Sequence, residues 1–147
     1  MTLDVVALLV SRSVPDQALG AWRPVRTIFG VPRPAVIDPT GRAWRLGALL
    51  IDSSGALYAT GQVTRALVPK DFNSDKTVAG ENRREVQRAA ARGAFRAGEA
   101  VNYDYRKLSL DPPSPPLSLV DGVLHVTDGA TVPLLEYLRD RVELLGF

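Results

Sequence analysis

Leu46-Gly47-Ala48-Leu49-Leu50-Ile51-Asp52-Ser53-Ser54-Gly55-Ala56-Leu57-Tyr58-Ala59-Thr60-Gly61-Gln62-Val63 is the stretch on which the fold turns. Two apolar runs, residues 46–51 and 57–63, flank a polar quartet whose last member, Gly55, stands where a hairpin loop needs a left-handed residue. Both runs are too short for stable helices and are bounded by turn formers, so they read as paired antiparallel strands. Folding about the loop brings Gly47 close to opposite Gly61. Glycine within a strand weakens it unless a bulge or a close backbone approach needs the space.

Upstream, Val36-Ile37-Asp38-Pro39-Thr40-Gly41-Arg42 reads as a strand entering a turn. Pro24, Gly30, Pro32 and Pro34 punctuate the residues before it into extended loop. Ser13-Val14-Pro15-Asp16 has an early proline and an acid in the first turn, the pattern of a short helix ending near Gly20 or Trp22. Residues 2–12 are read as a helix with Thr2 as N-cap and Leu3, Val6, Ala7 and Val10 on one face. That run is apolar all round, so a strand is the alternative.

Downstream, a polar loop over residues 70–77 leads to the longest predicted helix, residues 80–97, with Arg96 in its last turn and Gly98 at the C-cap. Alternation over residues 101–108 predicts a strand with Val101, Tyr103 and Tyr105 on one side. Asp111-Pro112-Pro113-Ser114-Pro115-Pro116 is an extended connector, and Asp121-Gly122 joins residues 117–120 and 123–126 into a second hairpin. A last helix over residues 131–145 presents Leu134, Leu138, Val142 and Leu145 as its buried stripe and stops at Gly146. Helices fall between runs of strands instead of alternating with them. The expected fold is therefore α+β: a mostly antiparallel sheet of about five strands packed with two or three helices, one domain over residues 1–147.

A chain of 147 residues, 46% hydrophobic and 23% charged, can bury a core without disulfides or metal. It has no cysteine, which excludes thiolate catalysis, iron–sulfur clusters and zinc held by sulfur. The apolar run at residues 5–10 follows Asp4 instead of a basic residue, precedes no cleavage signature and is too short for a bilayer. The expectation is a cytoplasmic protein with no membrane partner. Arginine supplies nearly all the positive charge, lysine standing only at positions 70, 76 and 107, and the net charge is only +2. That is too near neutral for an extended nucleic-acid footprint.

Two surfaces stand out as candidate sites. Arg84, Arg88, Arg92 and Arg96 recur at spacing four along the long predicted helix, opposite a face of Val86, Ala89, Ala90, Gly93, Ala94 and Ala97. Such a ridge suits carboxylates or phosphates, and Phe95 would project among the arginines, either as a contact for another subunit or domain or beneath a neighbouring loop that covers it. The second candidate lies where the small-residue face of that helix meets Gly47 and Gly61 of the sheet. These residues suit tight packing, and the functional alternative is a pocket between sheet and helix, with Tyr103, Tyr105 or His125 supplying polar groups. Against it, His125 is the only histidine and the carboxylates are scattered, with arginines beside both Glu81/Glu85 and Glu136/Asp140, a pattern of surface ion pairs. Asp71-Phe72-Asn73-Ser74-Asp75 is superficially calcium-like but lacks the glycine and final glutamate of such a loop. No phosphate-loop, dinucleotide, nucleophile-elbow or HExxH pattern occurs. No cofactor and no metal are expected.

Gly41-Arg42-Ala43-Trp44-Arg45-Leu46-Gly47 running into Leu57-Tyr58-Ala59-Thr60-Gly61, the arginine-rich helix leading to Gly98-Glu99-Ala100-Val101, and residues 133–145 together resemble a group of small uncharacterised actinobacterial proteins. The resemblance covers much of the chain through motifs of low specificity. Some members of that group carry a glutaminase label. A serine-type glutaminase needs a Ser-x-x-Lys nucleophile and the amidotransferase type needs cysteine; the chain holds neither. The residues thus lead to a non-catalytic binding or assembly module, expected to be a homo-oligomer. The alternatives are a small-molecule enzyme with a pocket between sheet and helix, and a binder of phosphorylated or nucleic-acid ligand on the arginine ridge.

Overall fold

Twelve short strands and three helices form among the described residues, 1–69 and 76–147, of this computed structural model. The calcium-like stretch at residues 71–75 lies outside them. In chain order the elements are α1 (Thr2–Ser11), β1 (Gln17–Arg23), β2 (Arg26–Ile28), β3 (Val31–Arg33), β4 (Val36–Leu46), β5 (Leu49–Ile51), β6 (Leu57–Ala59) and β7 (Gln62–Arg65). There follow α2 (Val78–Arg92), β8 (Ala100–Tyr103), β9 (Arg106–Lys107), β10 (Leu117–Val120), β11 (Val123–Asp128), β12 (Ala130–Pro133) and α3 (Leu134–Leu144). The class is α+β with mostly antiparallel pairing, as expected, though with more and shorter strands than the expected five. The chain divides into two compact units, one of residues 1–16, 42–60 and 105–147, the other of residues 17–41 and 61–104.

In the first unit the Asp52 hairpin forms as its sequence dictates. β5 pairs with β6 from Leu49↔Ala59 to Ile51↔Leu57, and β6 with β9 through Tyr58↔Lys107. The carboxylate organises the loop: Oδ1 accepts the backbone N–H of Ser54 at 2.9 Å and of Ala56 at 3.0 Å and the Ser54 hydroxyl at 2.6 Å, while the Tyr58 hydroxyl donates to Oδ2 at 2.8 Å. β4 returns to β5 through the two-residue turn Gly47-Ala48, with Leu46 opposite Leu49. Gly47 therefore sits in a left-handed turn at φ +64°, not within a strand.

α1 and α3 pack in the same unit, and Leu9, Leu46, Leu49, Ile51, Leu134 and Leu138 are almost wholly buried. Burying each such side chain contributes roughly 1.5–3 kcal/mol. α1 turns Val5, Val6 and Leu9 inward and leaves the expected Leu3 and Val10 exposed. A run apolar all round carries no periodicity from which to choose a face, so the neighbours decide. Met1 occupies the N-cap position in place of Thr2, and no side chain caps the helix.

The Asp121-Gly122 turn joins β10 to β11 in the expected register, Val120↔Val123, with both turn residues at positive φ. Residues 130–133, expected as the first turn of the last helix, pair with β11 as β12, their β-branched Thr131 and Val132 suiting an extended chain. α3 starts only after Pro133; Leu134, Leu138 and Val142 are buried as expected, together with Tyr137, whereas Leu145, expected in the same stripe, falls at the C-cap and is exposed.

In the second unit β8 lies between β7 and β1, parallel to β1 through Ala18↔Val101 and antiparallel to β7, and β1 lies between β8 and β4. The short helix expected around residues 13–22 is thus strand β1. Pairing on both edges and a buried Asn102, whose Nδ2 donates to Gln17 Oε1 at 2.9 Å and the Ala18 carbonyl at 3.1 Å, override the local helix signal. Gly20 fits this strand because a Cβ there would collide with Ile37 and Val101. Ala18, Ile37, Ala89, Ala90 and Val101 form the core, with Phe95 packed against it.

α2 is capped by the Thr77 hydroxyl, which accepts the Gly80 N–H at 3.0 Å. It ends at Arg92, not Ala97: Gly93, where any side chain would run into the Ile37 carbonyl, turns the chain out of the helix. β8 stops at Tyr103, since Asp104 takes a left-handed conformation at φ +56° that breaks the strand expected to run to Leu108. The proline-rich residues expected as plain loop fold into the β2–β3 hairpin, with Arg26 opposite Arg33 and Ile28 opposite Val31.

Burial pushes the Asp52 carboxyl up, but its hydrogen bonds from Ser54, Tyr58 and Ala56 outweigh that and hold it below the usual carboxylate range. A lowered native value means stabilisation that is present above the ordinary carboxylate range and lost as pH falls through the lowered value. Asp52→Asn is expected to cost about 1–2 kcal/mol at neutral pH, the scale of hydrogen bonds to a charged acceptor. Urea unfolding followed from neutral pH into acid should show the gap between the two proteins closing.

Candidate functional site

α2 carries the expected arginines but not a bare cationic ridge. Arg84 is buried and donates to Glu81 at 2.7 Å; Arg88 reaches Glu81 at 3.4 Å and Glu85 at 3.2 Å; Arg92 donates to the Ala35 carbonyl at 2.8 Å and lies 3.7 Å from Glu85. The bonds from Arg84 and Arg88 hold the Glu81 carboxyl below its ordinary value. Arg96 and Phe95 lie beyond the helix end, and Phe95 is drawn onto the core of its unit. The acids one or two turns earlier along α2 thus answer three of the arginines, and Phe95 packs inward instead of projecting among them.

Of the five pocket candidates, Gly47, Tyr105 and His125 belong to the first unit and Gly61 and Tyr103 to the second. Gly47 lies against the Tyr137 hydroxyl in the first unit; Gly61 lies against the backbone of Tyr103 and Asp104 in the second. Tyr105 makes an edge contact with Tyr58 at 5.5 Å, and Tyr58 itself is pushed up to about 12, first by burial and then by its bond to Asp52. His125 is half-buried on β11, its Nδ1 2.9 Å from the Val123 carbonyl, so that nitrogen carries the proton. Tyr103, 6.4 Å from Trp22, lines an open cleft of about 290 Å³ between β7 and α2 with Gln62, Thr64, Asn82 and Arg83. Burial and Asp104 raise the Tyr103 hydroxyl. Among the described residues lining it, this cleft holds a phenol, amides and a guanidinium, and none of them is a carboxylate or imidazole that would take a proton near neutral pH. Among the described residues no group of three or more His, Asp or Glu side chains is placed to hold a metal ion. No helix among them is long and apolar enough to cross a membrane.

Two features escaped the sequence reading. The first is built around Tyr137 on α3. Its hydroxyl donates to Asp128 Oδ2 at 2.6 Å and accepts the Ala48 N–H at 2.9 Å. Arg141 stands 3.4 Å from the same carboxylate oxygen and 5.0 Å from the Tyr137 ring centre. Burial, and then the bond to Asp128, push the phenol above its ordinary range. Beside it Val132, Tyr137, Glu136 and Asp140 line a hollow of about 330 Å³. Glu136 and Asp140 are exposed and form no ion pair among the described residues, although arginines neighbour them in sequence. Acids four apart on α3 and an apolar patch from β12 meet only through the fold.

The second feature is the β2–β3 hairpin. Its two-residue turn, Phe29-Gly30, has both residues at positive φ, 51° and 76°. Glycine adopts that geometry freely, whereas for an L residue with a bulky side chain it costs roughly 1–2 kcal/mol. Phe29 is nonetheless there, fully exposed at the tip, with Val25 and Val31 exposed nearby. Arg26 and Arg33 face one another across the ladder, like charges that repel, and neither has an acidic partner among the described residues. Arg26 Nη1 is buried and without a hydrogen bond there. Arg23, by contrast, is held by Asp38 through two bonds of 2.8 and 3.0 Å. The Phe-Gly pair was a readable hairpin signal once both turn residues are allowed positive φ, but the surrounding prolines hid it.

Compared with protein-family models, curated proteins and solved structures, the chain matches none.

Tyr137→Phe is expected to destabilise the fold by about 1–2 kcal/mol, since it leaves the Ala48 N–H without its acceptor and removes a donor from Asp128. Urea melts measure the loss. Hydrogen exchange at the Ala48 amide should accelerate well beyond the average for the first unit.

Proposed function

We propose that this protein is a non-catalytic binding or assembly module whose recognition element is the β2–β3 hairpin. The observation that carries the reading is Phe29, an aromatic held in a left-handed turn and wholly in solvent. A residue chosen for the fold alone would be Gly, Asn or Asp at that position. Placing Phe there incurs strain and exposes a large apolar group, and both are offset when a partner buries the ring, an event worth roughly 1.5–3 kcal/mol. Arg26 and Arg33 behind the tip, without acidic partners among the described residues, supply the polar part of such a contact. They point to a partner bearing carboxylates or other anions.

The arrangement of the remaining polar groups supports binding over catalysis. His125, Tyr103 and Tyr105 each serve separate local contacts, and the arginines of α2 are largely engaged by Glu81, Glu85 and the Ala35 carbonyl.

Phe29→Asn is expected to raise stability by about 0.5–1 kcal/mol in urea unfolding, because asparagine tolerates the left-handed turn. A photoreactive benzoyl-phenylalanine at position 29 of the full chain, irradiated in the protein's native cells, should form a discrete adduct. The same group placed at exposed Val68 should not. No gain in stability together with no adduct at position 29 overturns the reading.

A further inference from the structure

Resting on that reading, we infer that the partner of the hairpin is a second copy of this chain, whose α3 hollow receives Phe29. The hollow and the hairpin complement one another in shape of chemistry and in charge. The tip offers an exposed phenyl ring; the hollow offers Val132 and the Tyr137 ring within about 330 Å³. Among the described residues, the two cations behind the tip, Arg26 and Arg33, have no acidic partners, and the two anions on the wall of the hollow, Glu136 and Asp140, have no cationic partners.

The spacings agree as well. Arg26 and Arg33 are directly opposed across an antiparallel ladder, which puts their Cα atoms about 5 Å apart. Glu136 and Asp140 are four residues apart on a helix, about 6 Å along its axis. Three residue steps lead from Arg26 to Phe29, about 10 Å of reach, so the ring enters the hollow while the guanidiniums remain at its rim. Bringing the four charges together removes a like-charge repulsion from each side, between Arg26 and Arg33 on the hairpin and between Glu136 and Asp140 on the helix. It also places guanidiniums where they make bidentate bonds to carboxylates.

Each copy carries both halves of the contact, so association is between unlike surfaces and either closes on itself or continues. One hairpin in one hollow buries less than the roughly 1,200 Å² of a standard interface, so the contact is weak and concentration-dependent. Anionic lipid and nucleic acid also suit an arginine hairpin with an apolar tip, but neither accounts for the matching acidic hollow.

Sedimentation of the full chain over a wide concentration range tests this. The native chain should self-associate, less so at high salt. Phe29→Ala, and separately Glu136→Lys with Asp140→Lys, should each weaken association roughly tenfold or more while leaving thermal unfolding close to native, since all three residues are exposed. Mixing the two variants should restore a one-to-one complex, because the intact hairpin of one meets the intact hollow of the other. A strictly monomeric native chain, or self-association that the Glu136/Asp140 variant leaves unchanged, overturns the inference. If the position-29 adduct then contains a different protein, the binding-module reading survives with another partner. If the adduct contains nucleic acid or lipid, or if none forms, the second-copy partner is likewise excluded.

Discussion

The Tyr137 hydroxyl is the joint on which the first unit depends. A single oxygen accepts the Ala48 N–H of the β4–β5 turn and donates to Asp128 at the end of β11, while its ring is buried among the leucines of α3 and α1. The turn it holds is the Gly47-Ala48 corner, where the glycine leaves no room for a side chain because the phenol oxygen already fills the space. A buried phenol with both its hydrogen-bonding roles satisfied ties helix and turn together through two directional bonds. It also sets the floor of the hollow beside Glu136 and Asp140. Packing and surface chemistry are therefore coupled through one side chain.

The second unit solves the same problem with small residues. Gly20 and Gly93 each face Ile37 at a separation that excludes a Cβ, and Ala18, Ala89 and Ala90 complete the contact between strand and helix. Close approach of this kind is the role that residue spacing assigned to Gly47 and Gly61. Gly61 does lie against backbone, that of Tyr103 and Asp104, but the contact with Ile37 falls to Gly20, in a segment read as helix, and Gly93, in a helix predicted to run on. Ending α2 early at Gly93 frees Phe95 to turn onto the core, which takes it away from the arginines.

Local rules and surface chemistry pull against each other at one place. The Asp121-Gly122 turn obeys the preference of two-residue hairpins for residues that accept positive φ, and the Phe29-Gly30 turn violates it with the same backbone geometry. Conflicts of this sort mark positions where something other than stability selects the residue. The pairing of Arg26 with Arg33 across the same short ladder is a second conflict at the same spot, and the two together distinguish this hairpin from the rest of the surface.

What the sequence determined alone was whatever depends on near neighbours. The Asp52 and Asp121-Gly122 hairpins, the Leu134–Leu138–Val142 stripe and the α+β class follow from turn chemistry and periodicity, which act within a few residues. Tertiary structure decided the rest. Whether residues 17–23 become strand or helix depends on β8 and β4 standing on either side; which face α1 buries depends on a core its apolar run cannot specify. That Arg26 and Arg33 lack acids, and Glu136 and Asp140 lack cations, among the described residues is visible only in the folded chain. Ion pairing joins residues by distance in space, and a one-dimensional chain does not record that distance.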